Sequence, residues 1–145
     1  MLQRELHQLM RLHRQIMSNT PDAGLFRTHD VFCVAKTGQK IRFAPHAAIE
    51  GSLMLLLEKF IALWQSSQDK AEIARAIAYL WFGLIAIHPF SDGNGRVGKA
   101  FVKSKLAEKG FLTIDENALD AILITGQTEQ DLKNLTEFFS VQLIS

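Results

Sequence analysis

The sequence predicts a mainly α fold: a helical bundle of about six helices carrying one β-hairpin near its start. Three observations predict it. Apolar residues recur at helical spacing over most of the chain. Residues 25–45 instead set short β-prone runs around a glycine turn. Finally, 145 residues with 48% apolar side chains suffice for one domain, residues 1–145, with its own core.

Residues 2–17 carry Leu2, Leu6, Leu9, Met10, Ile16 and Met17, which predicts an amphipathic helix with a basic outer face. His7, His13 and the arginines of this segment are expected on its solvated side. Ser18-Asn-Thr-Pro-Asp-Ala-Gly24 is rich in turn formers. Between 25 and 45, Phe26-Arg27-Thr28, Val31-Phe32-Cys33-Val34 and Lys40-Ile41-Arg42-Phe43 are strand-like, around the turn signal Lys36-Thr37-Gly38-Gln39. Residues 48–65 form a helix with Leu53, Leu56, Leu57, Phe60, Ile61 and Trp64 on one face. Ser66 to Asp69 break it, with Ser67 or Asp69 capping the next helix. Residues 71–87 lack proline and are rich in Ala, Ile and Leu, so they form a buried helix. A helix over 96–108 stops at Gly110, and two more cover 115–123 and 129–143. Trp64, Tyr79 and Trp81 belong to the core, and His46 has a structural or surface role.

Charge and cysteine content exclude several classes. Sixteen basic and fifteen acidic side chains leave a net charge of +1, so no basic field points to nucleic acid. The single cysteine, Cys33, cannot form an internal disulfide and suits a reducing compartment such as the cytoplasm. The first residues hold no apolar secretory core, and the longest apolar runs, such as 53–57, are too short to span a membrane.

The densest chemistry lies in His88-Pro89-Phe90-Ser91-Asp92-Gly93-Asn94-Gly95-Arg96-Val97-Gly98-Lys99, between two of these helices. Pro89 disfavours helical conformation at His88, so the first helix should stop there. Gly93-Asn94-Gly95 permits positive φ and close backbone approach to a ligand. The loop empties into a helix N-terminus, whose free N–H groups and positive dipole end favour phosphate. Asp92 at its mouth can hold Mg²⁺ alongside nucleotide phosphates. Arg96 can make charge-assisted bonds to phosphate oxygens. His88 is the natural proton acceptor near neutral pH. Phe90 is an apolar plug that pins the loop to the core. Each piece alone has an ordinary structural reading: a turn, a surface histidine, an N-cap. Their order and spacing together point to transfer of a phosphate-containing group.

This stretch resembles the signature of the Fic domain family, H-P-F-x-[D/E]-G-N-G-R-x-x-R. Members mostly transfer AMP from ATP to a Tyr, Ser or Thr hydroxyl of a target protein. The resemblance implies that His88 is the catalytic base and Asp92 the Mg²⁺ ligand. It places Gly93, Asn94, Gly95, Arg96 and Lys99 on the nucleotide, with ATP as co-substrate. It also implies that residues 25–45 form a flap. The flap would hold an extended target segment along Val34, Ala35, Lys36, Thr37, Gly38 and Gln39 by strand addition. The resemblance covers nearly the whole chain by length and order, most specifically residues 24–110. The implied partner is a target protein presenting a hydroxyl, in the cytoplasm or in a host cytosol for a delivered effector.

The final motif position departs from the family's arginine: it is Lys99, which keeps the charge and loses the planar fork. The family's inhibitory pattern, [S/T]-x-x-x-E-[G/N], has no full match. His46 to Gly51 has the Glu50-Gly51 end without the hydroxyl, and Thr125 to Gln130 has the hydroxyl and Glu129 but ends in Gln. An inhibitory glutamate is therefore expected to be absent, or to come from a separate, antitoxin-like partner or from chain beyond this sequence. Alternatives within the same site are another donor, carrying UMP, phosphocholine or phosphate, or a nucleotide-binding module without turnover. Hydrolytic removal of AMP is a further one, disfavoured because it uses that glutamate.

Overall fold

A computed structural model of the chain describes residues 1–35, 37–122 and 128–143. Among them are six α-helices and one two-stranded antiparallel sheet. Helix α1 (Leu2–Ile16) buries Leu6 and Leu9 and leaves Arg4, Arg11 and Arg14 in solvent. His13 is not on the solvated side: it is 2% exposed. The helical period explains the correction, because position 13 falls on the same stripe as 6 and 9.

Strand β1 (Phe32–Val34) pairs with β2 (Lys40–Arg42), Phe32 opposite Arg42, Cys33 opposite Ile41 and Val34 opposite Lys40. Ile41 faces the core. At the hairpin tip the Ala35 amide donates to the Gln39 carbonyl and the Gly38 amide to the Ala35 carbonyl, both at 2.8 Å. Gly38 supplies the positive φ (86°) that this turn requires. Lys36 lies outside the described residues. Phe26-Arg27-Thr28 is not a strand, contrary to the strand-like reading: the Arg27 amide donates to the Pro89 carbonyl at 2.9 Å instead of to a neighbouring strand. The open end of the hairpin is closed by Asp30, whose Oδ1 lies 2.8 Å from both the amide and the ring Nδ1 of His46.

A short 3-10 turn at His46–Ala48 leads into α2 (Ile49–Ser66). Asp69 caps α3 (Lys70–Ile87), accepting the Glu72 amide at 2.8 Å. Then come α4 (Asn94–Glu108), α5 (Glu116–Ala121) capped by Asp115, and α6 (Glu129–Gln142) with a Thr128–Asp131 capping box. The expected helix end at 123 and the Thr125 half of the second glutamate pattern lie outside the described residues. Helix α3 is the centre of the bundle. It packs on α2, α4 and α6, and α1 covers α2 and α4. Fully buried Ala74, Ile77, Ala78 and Leu80 of α3 meet Leu53, Leu57, Phe101, Leu135 and Phe139 in one core. Gly83 and Gly98 set the closeness of this packing. A Cβ there would lie 2.3 Å from Leu56 and 2.9 Å from the Trp81 ring. Among the described residues no helix is long and apolar enough to cross a membrane.

One charged contact ties α1 to α4. Glu5 and Lys105 form an ion pair with both side chains buried, and Glu108 approaches the same ammonium at 3.4 Å from the exposed edge. A buried charge left without its partner is far more costly than an apolar pair of similar volume. Lys105→Met should therefore destabilise the fold by about 3–5 kcal/mol. The double variant Glu5→Leu, Lys105→Met should recover most of that loss. Urea unfolding of the three proteins checks both expectations, and a double variant as weak as the single one would refute the assignment.

Candidate active site

Helix α3 ends on His88, which adopts the left-handed conformation (φ 51°, ψ 63°). It is the one non-glycine residue with positive φ among the described residues. That conformation costs about 1–2 kcal/mol and must be held from outside. The end of a helix also leaves carbonyls without partners, and Pro89 has no N–H to offer. Other segments supply the donors one by one. The Ala44 amide donates to Ala86 at 3.2 Å, Arg27 Nη2 to Ile87 at 3.0 Å, Arg27 Nε to His88 at 2.7 Å and the Arg27 amide to Pro89 at 2.9 Å.

The His88 ring is half-buried and oriented by a stack on Phe43, with centroids 4.0 Å apart and planes 11° from parallel. Its Nδ1 is buried with no hydrogen-bond partner. Burial of the ring, and then the positive charge of Arg27, lower its pKa below the ordinary histidine value. The imidazole is therefore neutral at pH 7, as a proton acceptor must be.

The loop after His88 is closed from both sides. Phe90 is fully buried and stacks on His13 at 3.8 Å. Asn94 clamps it, Nδ2 donating to the Phe90 carbonyl at 2.7 Å and Oδ1 accepting the Phe90 amide at 2.9 Å. His13 Nδ1 accepts the Gly24 amide at 2.9 Å, which leaves Nε2 as the N–H that donates to the Asp92 carbonyl at 3.0 Å. Asp92 is exposed, and its Oδ1 accepts the Gly93 amide at 2.8 Å. Gly93 has φ 84°, and a Cβ there would strike the Met17 sulfur at 2.8 Å, so no other residue fits without strain. The first helical bond of α4 runs from the Val97 amide to Gly93 at 2.9 Å. The amides of Asn94, Gly95 and Arg96 precede it and are the free donors of this helix start. A Cβ at Gly95 would meet nothing within 4 Å, so the backbone there is open to a ligand.

A cavity of about 360 Å³ brings together His88, Asp92, Gly93, Asn94, Gly95, Arg96 and Lys99. Phe90 stays on the core side, and the exposed flap tip, Thr37, Gly38 and Gln39, is not part of the lining. Two of these side chains have partners within the protein. The carboxamide of Asn94 is spent on the loop, which leaves its amide for a ligand. The Lys99 ammonium is held 2.9 Å from Asp120 of α5. Arg96 is exposed, with Nη2 3.1 Å from the Met17 sulfur. Among the described residues no group of three metal ligands exists. One carboxylate suits a Mg²⁺ ion shared with nucleotide phosphates, not one held in a protein cage. Sequence reasoning missed His13, Arg27 and Asp120. Only His13 gave a signal, its place on the apolar stripe of α1.

Comparison with known proteins bears on the fold and the family. The chain is 28% identical over 107 residues to the protein adenylyltransferase Fic of Drosophila persimilis, covering 71% of the chain and 19% of that protein. It thus spans about a fifth of the length of that relative. A Fido domain-containing protein of Dictyostelium discoideum is 33% identical over 88 residues, 61% of this chain and 57% of its own. Among solved structures, the BepC protein of Bartonella tribocorum with bound AMPPNP superposes with a TM-score of 0.71 at 19% identity, over 94% of this chain and 72% of that one. The N-terminal Fic domain of a VirB-translocated Bep effector of Bartonella quintana, with bound ADP, gives 0.72 at 19% identity, over 94% and 71%. Residues 4–104 match the profile of the Fic/DOC family, and with a match over more than half its length the chain belongs to that family.

Proposed function

We propose that this protein is a Mg²⁺-dependent adenylyltransferase that moves AMP from ATP to a Tyr, Ser or Thr hydroxyl of a target protein. One observation carries the reading: a neutral histidine and the free amides of a helix N-terminus share one cavity, with a single carboxylate at its mouth. The adenylyltransferase names of the relatives and the nucleotides bound in the solved neighbours support it.

His88 takes the proton of the target hydroxyl. The freed oxygen attacks the α-phosphorus as the bond to pyrophosphate breaks, so no covalent enzyme intermediate is needed. The amides of Asn94, Gly95 and Arg96 and the Arg96 guanidinium meet the charge that develops on the phosphate oxygens. Asp92 would hold Mg²⁺ through the oxygen not engaged by Gly93, and the ion would neutralise phosphate charge. The flap residues Val34 to Gln39 would present the target strand, with the open edges of β1 and β2 offering backbone bonds. A second reading, a different phosphate-containing donor on the same site, is favoured by the Lys99–Asp120 pair, because that ammonium must leave a carboxylate before it can grip a terminal phosphate.

His88→Ala should lower the transfer rate by about 10²–10⁴ while ATP still binds. In the unaltered protein the acidic limb of the pH–rate profile should lie below the usual histidine value, because the folded pKa is lowered and the base is lost only as pH falls through it. Transfer of α-label at the wild-type rate by the alanine variant would refute the role.

Asp92→Ala should weaken ATP binding in saturating Mg²⁺ and change it little in EDTA. Calorimetry in both buffers checks this, and equal affinities with Mg²⁺ present would remove Asp92 from the metal.

Breaking the half-exposed Lys99–Asp120 pair, worth about 0.2–1 kcal/mol, should raise ATP affinity about 1.4- to 5-fold in Asp120→Asn. Lys99→Arg should raise α-label transfer modestly. A slower arginine variant would mean that lysine is tuned to another donor.

A further inference from the structure

Arg27 is 3% exposed, and its guanidinium bonds run to main-chain carbonyls: those of Ile87, His88, His29 and Ala44. A buried cation held this way is costly unless its donors are filled. Here four of its five N–H groups are filled, at a place that suits a cation, because Ile87 and His88 form the negative end of the α3 dipole. His29 and Ala44 flank the hairpin on either side. One planar fork thus joins the chain before the flap, the chain after the flap and the end of the helix that carries His88.

The two things that fix the His88 imidazole both depend on this group. Its backbone leaves the helix in the left-handed conformation with its carbonyl held by Arg27 Nε at 2.7 Å. Its ring lies against Phe43, and the next residue, Ala44, has its carbonyl held by Arg27 Nη2. No side-chain hydrogen bond takes over this task, since Nδ1 has no partner. Resting on the reading of His88 as the base, we infer that Arg27 is its positioning residue: one guanidinium holds both the backbone of the base and the hairpin segment that supplies its stacking partner, so flap and base are set as one unit. Asp92, Arg96 and Lys99 share the cavity with His88, and Asp30 with His46 closes the hairpin nearby. None of these is altered in the test.

The test uses the full chain with Arg27→Lys, which keeps the charge and loses the fork, and Arg27→Gln, which loses both. Arg27→Lys should lower kcat about 10²-fold through misplacement of the base, with ATP affinity within about twofold of wild type. In a His88→Ala background the same substitution should cost less than about twofold, because its effect passes through His88. A purely structural role would cost as much in either background. The ¹⁵N signals of the His88 ring should titrate higher in Arg27→Gln than in Arg27→Lys, because a neighbouring positive charge disfavours the imidazolium. Wild-type kcat in Arg27→Lys, or equal losses in the two backgrounds, would overturn the inference. Should the variants not fold, the wild-type protein still decides. Slow solvent exchange of the Arg27 Nε–H supports the inference, and fast exchange overturns it. Wild-type activity of His88→Ala would sink the functional reading instead, and the ring signals would still report whether Arg27 sets the imidazole.

Discussion

A proline directly after the last turn of α3 leaves that helix with carbonyls that no later amide of its own can reach. Such groups, buried without partners, cost about 1–3 kcal/mol each. The chain answers with donors from other segments, both for the carbonyls of Ala86, Ile87 and His88 and for those of the loop that follows. Arg27 and Ala44 come from the two sides of the hairpin, Asn94 from the start of α4, and His13 from α1 to the Asp92 carbonyl. The packing of hairpin, α1 and α4 around the loop is in large part this one demand being met. It also explains why a left-handed histidine persists: the bonds around it over-determine its backbone.

The same pairing of donors and acceptors gives the loop its electrical sense. Its carbonyls from Ala86 to Phe90 are taken, while the amides of Asn94, Gly95 and Arg96 are left over. A segment with its acceptors used and its donors spare favours an anion. Asp92 opposes that field at the mouth. If phosphates bind there, as proposed, the carboxylate favours a cation between them, which is a stronger reason to propose a divalent ion than the presence of an acid alone.

The motif is legible in the sequence because its chemistry is local. The proline break, the glycine at φ 84° and the helix start after it each follow from residues within a few positions. The supporting group is not legible, because its contacts go to backbone carbonyls, which carry no residue signature. Arg27 bonds to residues about 60 positions away, and before folding it looks like one more polar residue in a strand run. That is also why Phe26-Arg27-Thr28 reads as a strand and is not one: the Arg27 amide pairs with a helix terminus. His13 stands between these cases. Histidine suggests solvent, but position 13 lies on the apolar stripe, and burial with both ring nitrogens bonded resolves the conflict.

Lys99 shows how the division between backbone and side chain bears on chemistry. Its ammonium is a point charge on a long stem, able to turn between Asp120 and the cavity it lines. An arginine there would grip either partner with two parallel bonds. On the proposed reading, the terminal part of a nucleotide would meet one charge already paired with Asp120, while the part nearest the helix start would meet three backbone amides. The fixed donors cost nothing to organise when charge develops on a phosphate, whereas the mobile one must first break an ion pair. On the proposed reading, catalytic stabilisation would rest mainly on the backbone at Asn94 to Arg96, and Lys99 would bear on how firmly a donor is held.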